Sequence, residues 1–128
     1  MDHRIQVVCA ELERSPGSNL RITDLAKSVN LSPSRLRHLF RAEMDQTLGQ
    51  YRKGVRLKKA EMLLRTTLLS VKEIMHQVGF GSDSHFTRNF KRAFGLSPTR
   101  YRASCLELSE SIFLPRGSRS GQKTVNLD

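Results

Sequence analysis

The sequence predicts an all-α fold of seven helices, in which two tandem helix-turn-helix units are joined by a long central helix. Apolar residues recur at helical spacing through most of the 128 residues, and residues that begin or end helices separate these stretches. The pattern of the first half also returns in the second half. A repeat of this kind indicates two copies of one structural unit.

The first helix is predicted over residues 2–14, and the turn-forming residues 16–19 end it. Its apolar stripe consists of Ile5, Val8, Cys9 and Leu12. Thr23 is predicted to cap a short second helix over residues 24–29. Asn30 tolerates the left-handed backbone conformation, and so provides the tight turn of a helix-turn-helix.

The third helix begins at Ser32 and Pro33, because the hydroxyl can cap free N–H groups and proline already has a helical φ. It is expected to run to about Met44. Its apolar face carries Leu36, Leu39 and Phe40. The opposite face is cationic and can form hydrogen bonds, and it carries Ser34, Arg37, His38 and Arg41. A short helix with these two faces has the shape and chemistry to enter a DNA major groove.

The fourth helix is the long central one, predicted from about Leu48 to Arg65. Thr47 and Gln50 form a capping box at its start. Basic residues cover much of its surface, namely Arg52, Lys53, Arg56, Lys58 and Lys59. For Arg52, Lys53, Lys58 and Lys59, the sequence is consistent both with a solvated surface and with contacts to phosphates.

The fifth helix repeats the second. Ser70 and Glu73 form another capping box, which predicts a helix over residues 71–78. Gly79 follows where Asn30 stands in the first unit. An offset of 49 residues in this region, and of 50 after one extra residue near Gly81, aligns caps, turn and core positions together. The chain is therefore predicted to contain a second helix-turn-helix.

Ser82 is predicted to cap the sixth helix, over residues 83–94, and Gly95 to end it. The helical spacing of three aromatic residues favours a core role over a stacking platform for single-stranded nucleic acid. They are Phe86, Phe90 and Phe94. Ser97–Pro98 then begins a seventh helix that is expected to end near Leu106.

The predicted organisation is a first helix-turn-helix subdomain at residues 1–50, a central linker helix at 51–65, a second subdomain at 66–106 and a flexible tail at 107–128. The tail is predicted from its content of Pro, Gly and Ser. Acidic and basic residues balance in the tail, so the positive charge of the chain belongs to the folded part.

The chain carries 22 Lys and Arg against 12 Asp and Glu, for a formal net charge of +10. Such an excess indicates an anionic partner, most often nucleic acid or a membrane surface. No apolar run approaches the roughly 18 residues of a membrane span, and no secretory signal precedes the first helix. We therefore expect a cytoplasmic protein with no membrane partner.

Catalytic and metal chemistry have little support in the sequence. The four histidines and two cysteines show no metal-ligand spacing, and no nucleophile–base pair or phosphate loop is present. We expect no cofactor, no metal and no enzymatic activity. Cys9 lies on an apolar helix face and is interpreted as a core residue, although a reactive nucleophile is the alternative.

On these residues the chain resembles the DNA-binding domain of the AraC/XylS family of bacterial transcription regulators. The resemblance covers about residues 3–104 and implies seven helices with two helix-turn-helix units. The motifs that carry it are Leu31-Ser32-Pro33-Ser34, Arg56-Leu57-x-x-Ala60-x-x-Leu63-Leu64, Val78-Gly79-Phe80 and Phe94-Gly95-Leu96-Ser97-Pro98. Asp45 departs from the pattern, since a glycine is expected there as at Gly95. The chain looks like a short stand-alone member or an excised domain.

The helix faces and the resemblance together predict the DNA contacts. The residues expected to read base edges are Ser34, Arg37, His38, Ser84, His85 and Arg88. The residues expected to contact phosphates are Ser32, Arg41, Thr47, Ser82, Lys91, Arg92 and Ser97. The Ser and Thr residues in the second group are also explained by helix capping alone.

The resemblance implies a sequence-specific transcription regulator, more often an activator, whose partner is double-stranded DNA. Two recognition helices on a stiff central helix can enter successive major grooves about 34 Å apart. A monomer is expected to fill one asymmetric or directly repeated site, and activation would add RNA polymerase as a partner. The alternative is a nonspecific nucleic-acid or nucleoid-binding module that acts by charge.

Overall fold

A computed structural model describes the backbone of residues 1–113 and the side chains of residues 1–106. This part of the chain contains seven α-helices and no strand, which confirms the predicted all-α fold. The helices are α1 (His3–Arg14), α2 (Ile22–Ser28), α3 (Pro33–Met44), α4 (Leu48–Thr66), α5 (Val71–Gln77), α6 (Asp83–Phe94) and α7 (Pro98–Phe113). No helix in residues 1–113 is long and apolar enough to cross a membrane.

The turns of the two helix-turn-helix units, α2–α3 and α5–α6, have the same backbone hydrogen bond. Leu31 N donates to Ala26 O at 2.9 Å in the first turn, and Phe80 N donates to Met75 O at 3.0 Å in the second. A bond that spans the last helical turn in this way closes the end of a helix and reverses the chain. The repeat predicted from the sequence is therefore also a repeat of backbone structure.

Left-handed residues stand at matching places in the two units. Within residues 1–113 the positive φ values are those of Asn30 (59°), Asp45 (58°), Gly79 (95°) and Gly95 (86°). Asn30 and Gly79 form the two turns, as predicted. Asp45 and Gly95 end α3 and α6. Asp is one of the few non-glycine residues that visit this conformation, which explains how Asp45 replaces the expected glycine.

Side-chain caps begin most of the helices where the sequence predicts them. Ser32 Oγ accepts from Arg35 N at 3.1 Å, and Ser82 Oγ accepts from His85 N at 3.4 Å. The two capping boxes are also formed, between Thr47 and Gln50 and between Ser70 and Glu73. These bonds satisfy N–H groups that have no partner within the helix.

The predicted cap of α2 is wrong. Helix α2 begins at Ile22, with Arg21 as its N-cap, and Thr23 lies inside the helix. The carboxylate of Asp24 accepts from Arg21 N at 3.1 Å. The acidic side chain in the first turn thus reaches back to the free amide, and the hydroxyl of Thr23 is not needed as a cap.

Each unit has its own hydrophobic core, and α4 contributes to both. The first core consists of Ile5, Val8, Leu12, Leu25, Ala26, Leu36, Phe40 and Leu48, with Cys9 and Leu39 packed against it. The second consists of Leu57, Ala60, Leu63, Leu64, Ile74, Met75, Val78, Phe80, Phe86 and Phe90, with Phe94 and Tyr101 packed against it. The core role predicted for the three Phe residues of α6 is confirmed.

An aromatic pair of the same geometry supports both cores. The rings of Phe40 and Tyr51 lie 5.6 Å apart edge to face, and those of Phe90 and Tyr101 lie 5.5 Å apart in the same arrangement. Tyr51 donates to the Glu13 carboxylate and Tyr101 to that of Glu61. Helix α1 therefore supplies the carboxylate that accepts from the tyrosine of the first unit, and the second half of α4 supplies the equivalent carboxylate in the second unit.

Helix α7 continues past its predicted end at Leu106 and reaches Phe113. Helical backbone therefore continues into the segment that was predicted to be a flexible tail. Residues 107–113 contain neither Gly nor Pro, so no residue of this stretch interrupts a helix. The rest of the predicted tail, residues 114–128, lies outside the described residues.

Candidate nucleic-acid interface

The predicted reading face of α3 is exposed and continuous. Ser34, Arg37, His38 and Arg41 are all exposed, whereas Leu36 and Phe40 on the opposite face are fully buried. The four exposed residues line one open groove together with Thr47 and Gly49 at the start of α4. The structure thus brings Thr47, predicted to contact phosphate, beside the residues predicted to read bases.

Helix α6 presents the same spacing of polar residues. Ser84, Arg88 and Lys91 are exposed, and the buried side of the helix holds Phe86 and Phe90. Thr87 is also exposed and lies on the same face, because positions i, i+3, i+4 and i+7 meet on one side of a helix. This pattern is that of Ser34, Arg37, His38 and Arg41 moved by 50 residues. Thr87 is not among the residues predicted from the sequence, although the offset of 50 residues places it opposite Arg37.

His85 lies on the flank of this face and not at its centre. Its ring packs against Phe80, with 5.8 Å between the ring centroids. It also lines a separate depression with Arg52 and Lys53 of α4. The ring of His85 therefore lies toward Phe80 and α4, on the flank of the face that carries Ser84 and Arg88. Arg92, seven residues on, shares this flank.

The hydroxyls predicted to contact phosphates all cap helices in the structure. Besides the bonds already described for Ser32, Thr47 and Ser82, Ser97 Oγ accepts from Arg100 N at 3.3 Å. Helix capping thus accounts for these four side chains without DNA. The three cations predicted for the same task, Arg41, Lys91 and Arg92, are exposed.

Arg52 and Arg56 of α4 are half-buried and donate to backbone carbonyl groups, so Arg52 is not simply the solvated surface cation that the sequence allowed. Arg52 Nη2 donates to Leu20 O. Arg56 Nε donates to Pro16 O at 2.8 Å. Burial lowers the pKa of each guanidinium, and the charge of Arg52 lowers the pKa of Arg56 further. Both remain cations, because arginine is not deprotonated in proteins.

Arg102 shows that this use of arginine is part of the repeat. It stands 50 residues after Arg52, and it donates to Leu64 O and Thr67 O, each at 3.2 Å. In each unit an arginine therefore donates to a carbonyl of the segment that leads into the first helix of the helix-turn-helix, Leu20 O in the first unit and Thr67 O in the second. No apolar or charge pattern in the sequence distinguishes these arginines from surface cations.

The described residues offer few groups suited to metal binding or nucleophilic catalysis. The part of the chain with described side chains contains no group of three His, Cys, Asp or Glu residues that could hold a metal ion. Cys9 is half-buried, and burial raises the pKa of its thiol. Because the thiolate is the reactive form, this environment disfavours a nucleophilic role.

Residues 25–104 match the family model described as a helix-turn-helix domain. The chain is 37% identical over 108 residues to the arabinose operon regulatory protein of Escherichia coli (strain K12), covering 84% of this chain and 37% of that protein. It is 34% identical over 123 residues to the HTH-type transcriptional regulator CdhR of Pseudomonas aeruginosa, covering 96% of this chain and 36% of that protein. The chain thus spans little more than a third of the length of these relatives.

Two solved structures have the same architecture. An AraC-type transcriptional regulator from Chromobacterium violaceum aligns with a TM-score of 0.76 and 26% identity, over 80% of this chain and 92% of that one. The DNA-binding domain of AdpA, solved in complex with a target DNA, aligns with a TM-score of 0.73 and 27% identity, over 79% of this chain and 91% of that one. With its two repeated units and the match over residues 25–104, the chain belongs to the AraC/XylS family of helix-turn-helix transcription regulators.

Proposed function

We propose that this chain is the sequence-specific DNA-binding module of a transcription regulator, and that it inserts α3 and α6 into successive major grooves of duplex DNA. The observation that carries the proposal is the duplicated polar face. Each of these helices exposes a hydroxyl and a basic residue at the same spacing, over a fully buried apolar side. A major groove accepts an α-helix, and its base edges are read by side chains of this kind.

The two units divide the contacts between them. In the first unit Ser34, Arg37 and His38 read base edges, and Arg41 binds a phosphate. An arginine in this position can offer a bidentate fork to guanine, worth about 1–3 kcal/mol of discrimination against a wrong base.

In the second unit Ser84, Thr87 and Arg88 read base edges. Lys91, with His85 and Arg92 on the flank of α6, contacts the sugar–phosphate backbone. The capping residues Ser32, Thr47, Ser82 and Ser97 leave N-terminal amides of their helices free to meet phosphates, since anions bind well at helix N-termini.

A monomer fills one DNA site in this proposal. The units are tandem copies in one chain, so the preferred site is asymmetric or a direct repeat and not a palindrome. The protein acts in the cytoplasm, where it reaches its DNA, and activates transcription through a contact with RNA polymerase.

Selection of bound duplexes from a random pool tests the proposal. We expect one enriched sequence with two half-sites about one helical turn apart. Arg37→Ala should relax the base preference at one position of one half-site, and Arg88→Ala should do so in the other. Lys91→Ala is the control. Loss of a phosphate contact should weaken binding to all sequences alike, and should lower the slope of log affinity against log salt concentration by about 1. A charge-only module would enrich no sequence and would show only the salt dependence.

A further inference from the structure

The two units touch at a second place besides α4. The loop between α1 and α2, residues 15–21, belongs to the first unit and packs against the end of α5 in the second. At Gly17 the approach is so close that an ideal Cβ would overlap the carbonyl oxygen of Gln77 and would lie 3.7 Å from Gly79 N. The contact is backbone against backbone, and neither side has a flexible atom that can move away. Only glycine therefore fits at position 17.

Arg56 holds this contact together from α4. Its Nη2 donates to Ser18 O at 3.1 Å, beside the bond from its Nε to Pro16 O at 2.8 Å, and both carbonyls belong to the loop. Its Nη1 donates to Gly79 O in the second unit at 3.4 Å. A Cβ on Gly79 would lie 3.0 Å from Arg56 Cζ and Nε, so the turn lies directly on the guanidinium. The planar guanidinium, with its five N–H donors, thus donates to carbonyl groups of both units.

A second contact changes how the units can move. One α-helix between two bodies can curve gently along its length, and this changes the angle between the bodies. A contact away from the helix axis resists that motion. The bonds from Arg56 are charge-assisted and half-buried, which makes them stronger than bonds between neutral groups in water.

We propose that Arg56 and Gly17 form a clamp that fixes the separation and the rotation of α3 relative to α6, and that the clamp thereby selects the spacing between the two half-sites in DNA. This inference rests on the proposed function. One inserted base pair moves the second half-site by about 3.4 Å and turns it by about 34° around the DNA axis. A rigid pair of recognition helices cannot follow that change, whereas a hinged pair can.

Two variants and two matched controls test the clamp. Arg56→Gln removes the cation that binds both units, and Lys58→Gln removes the same charge from an exposed position of the same helix. Gly17→Ala adds a methyl group against Gln77 O, and Gly54→Ala adds one that meets nothing within 4 Å. Gly17 has no positive φ, so its substitution tests the contact and not backbone strain.

The first readout is affinity for the selected site with its spacer shortened by one base pair or lengthened by one or two. We expect the wild type and both controls to lose about tenfold or more in affinity for each one-base-pair change, which is about 1.4 kcal/mol. Arg56→Gln and Gly17→Ala should reduce this penalty to threefold or less. They should keep the base preference within each half-site, which a general loss of structure would not allow.

The second readout needs no DNA. Spin labels at Ala42→Cys on α3 and Ala93→Cys on α6, both exposed positions, report the distance between the recognition helices in a chain with Cys9 and Cys105 replaced by Ala. The distance distribution should be narrow in the wild type and the controls, and broad or shifted in the two clamp variants. The clamp is overturned if the two variants keep the helical circular dichroism of the wild type, show the same narrow distribution of label distances and lose affinity as steeply when the spacer length changes. A wild type that enriches no sequence overturns the proposed function instead, and the distances still decide whether the clamp exists.

Discussion

Asp45 and Gly95 occupy the same backbone position in the two units. Each ends the recognition helix of its unit in the left-handed conformation, with φ of 58° and 86°, and each backbone N–H donates to the carbonyl four residues earlier, at 3.0 Å and 2.7 Å. Two different residue types thus end equivalent helices in the same way. The backbone conformation is what the fold requires, and the residue type only sets its cost.

Glycine substitutions of opposite sign follow from this conformation. Gly95→Ala should lower the free energy of unfolding by about 1–2 kcal/mol, because L-residues with a Cβ pay that cost in the left-handed region. Gly54→Ala, inside α4, should raise it by about 1 kcal/mol, because alanine is the better helix former. An added Cβ meets nothing within 4 Å at either place, so backbone preference alone decides the sign. Urea denaturation of both variants checks this, and shifts in the same direction would contradict it.

We propose that Thr87, and not His85, reads base edges in the second unit, because the ring of His85 packs against Phe80 while Thr87 is exposed beside Arg88. Thr87→Val removes the hydroxyl but keeps the shape, and should change the base preference at one position of the second half-site. His85→Ala should weaken binding to all sequences about equally. Quantitative binding to all single-base variants of the selected site separates the two effects. A changed preference for His85→Ala with none for Thr87→Val would restore the grouping that the sequence suggested.

Phe90 is expected to carry much of the stability of the second unit. Its ring is fully buried. The distance between ring centroids is 4.6 Å to Phe94, 5.5 Å to Tyr101 and 5.9 Å to Phe86. Phe90→Ala should therefore cost about 3–5 kcal/mol. Phe94→Ala is the control with a smaller expected cost, since Phe94 is only half-buried. Thermal melts that are unchanged by Phe90→Ala would place the ring outside the core.

Glu73 links stability to acid pH. Ser70 N donates to Glu73 Oε1 at 2.8 Å, and this bond to the carboxylate is the main reason that the pKa of Glu73 lies below its ordinary value of 4.5. A carboxyl group whose pKa is lower in the folded state stabilises the fold above the unfolded pKa. This stabilisation is lost as the pH falls below about 4.5 toward the lower folded pKa.

Glu73→Gln tests that link. Glutamine can still accept from Ser70 N but does not titrate, so the variant should lose less stability than the wild type between pH 5 and pH 3. Urea denaturation at several pH values measures the difference. Other carboxylates titrate equally in both proteins and cancel in the comparison. Parallel pH profiles for the two proteins would argue against a capping carboxylate at this position.

The sequence by itself determined the elements of this protein and their duplication. Ser32, Thr47, Ser70 and Ser82 cap helices because a hydroxyl acts on amides two or three residues away. Asn30 and Gly79 turn the chain because the left-handed conformation depends on the residue itself. The two apolar faces follow from helical spacing alone. Such signals are local, and so a single sequence is enough to read them.

Only the tertiary structure decided which polar residues serve the fold and which are free to bind. Arg37 and Arg56 both lie on polar helix faces in the sequence pattern. In the structure Arg37 is exposed, whereas Arg56 donates to the carbonyl groups of Pro16, Ser18 and Gly79. The partners of Arg56 lie 23 to 40 residues away along the chain. No periodicity within a helix encodes contacts at such separations, because they exist only after both units have packed against α4.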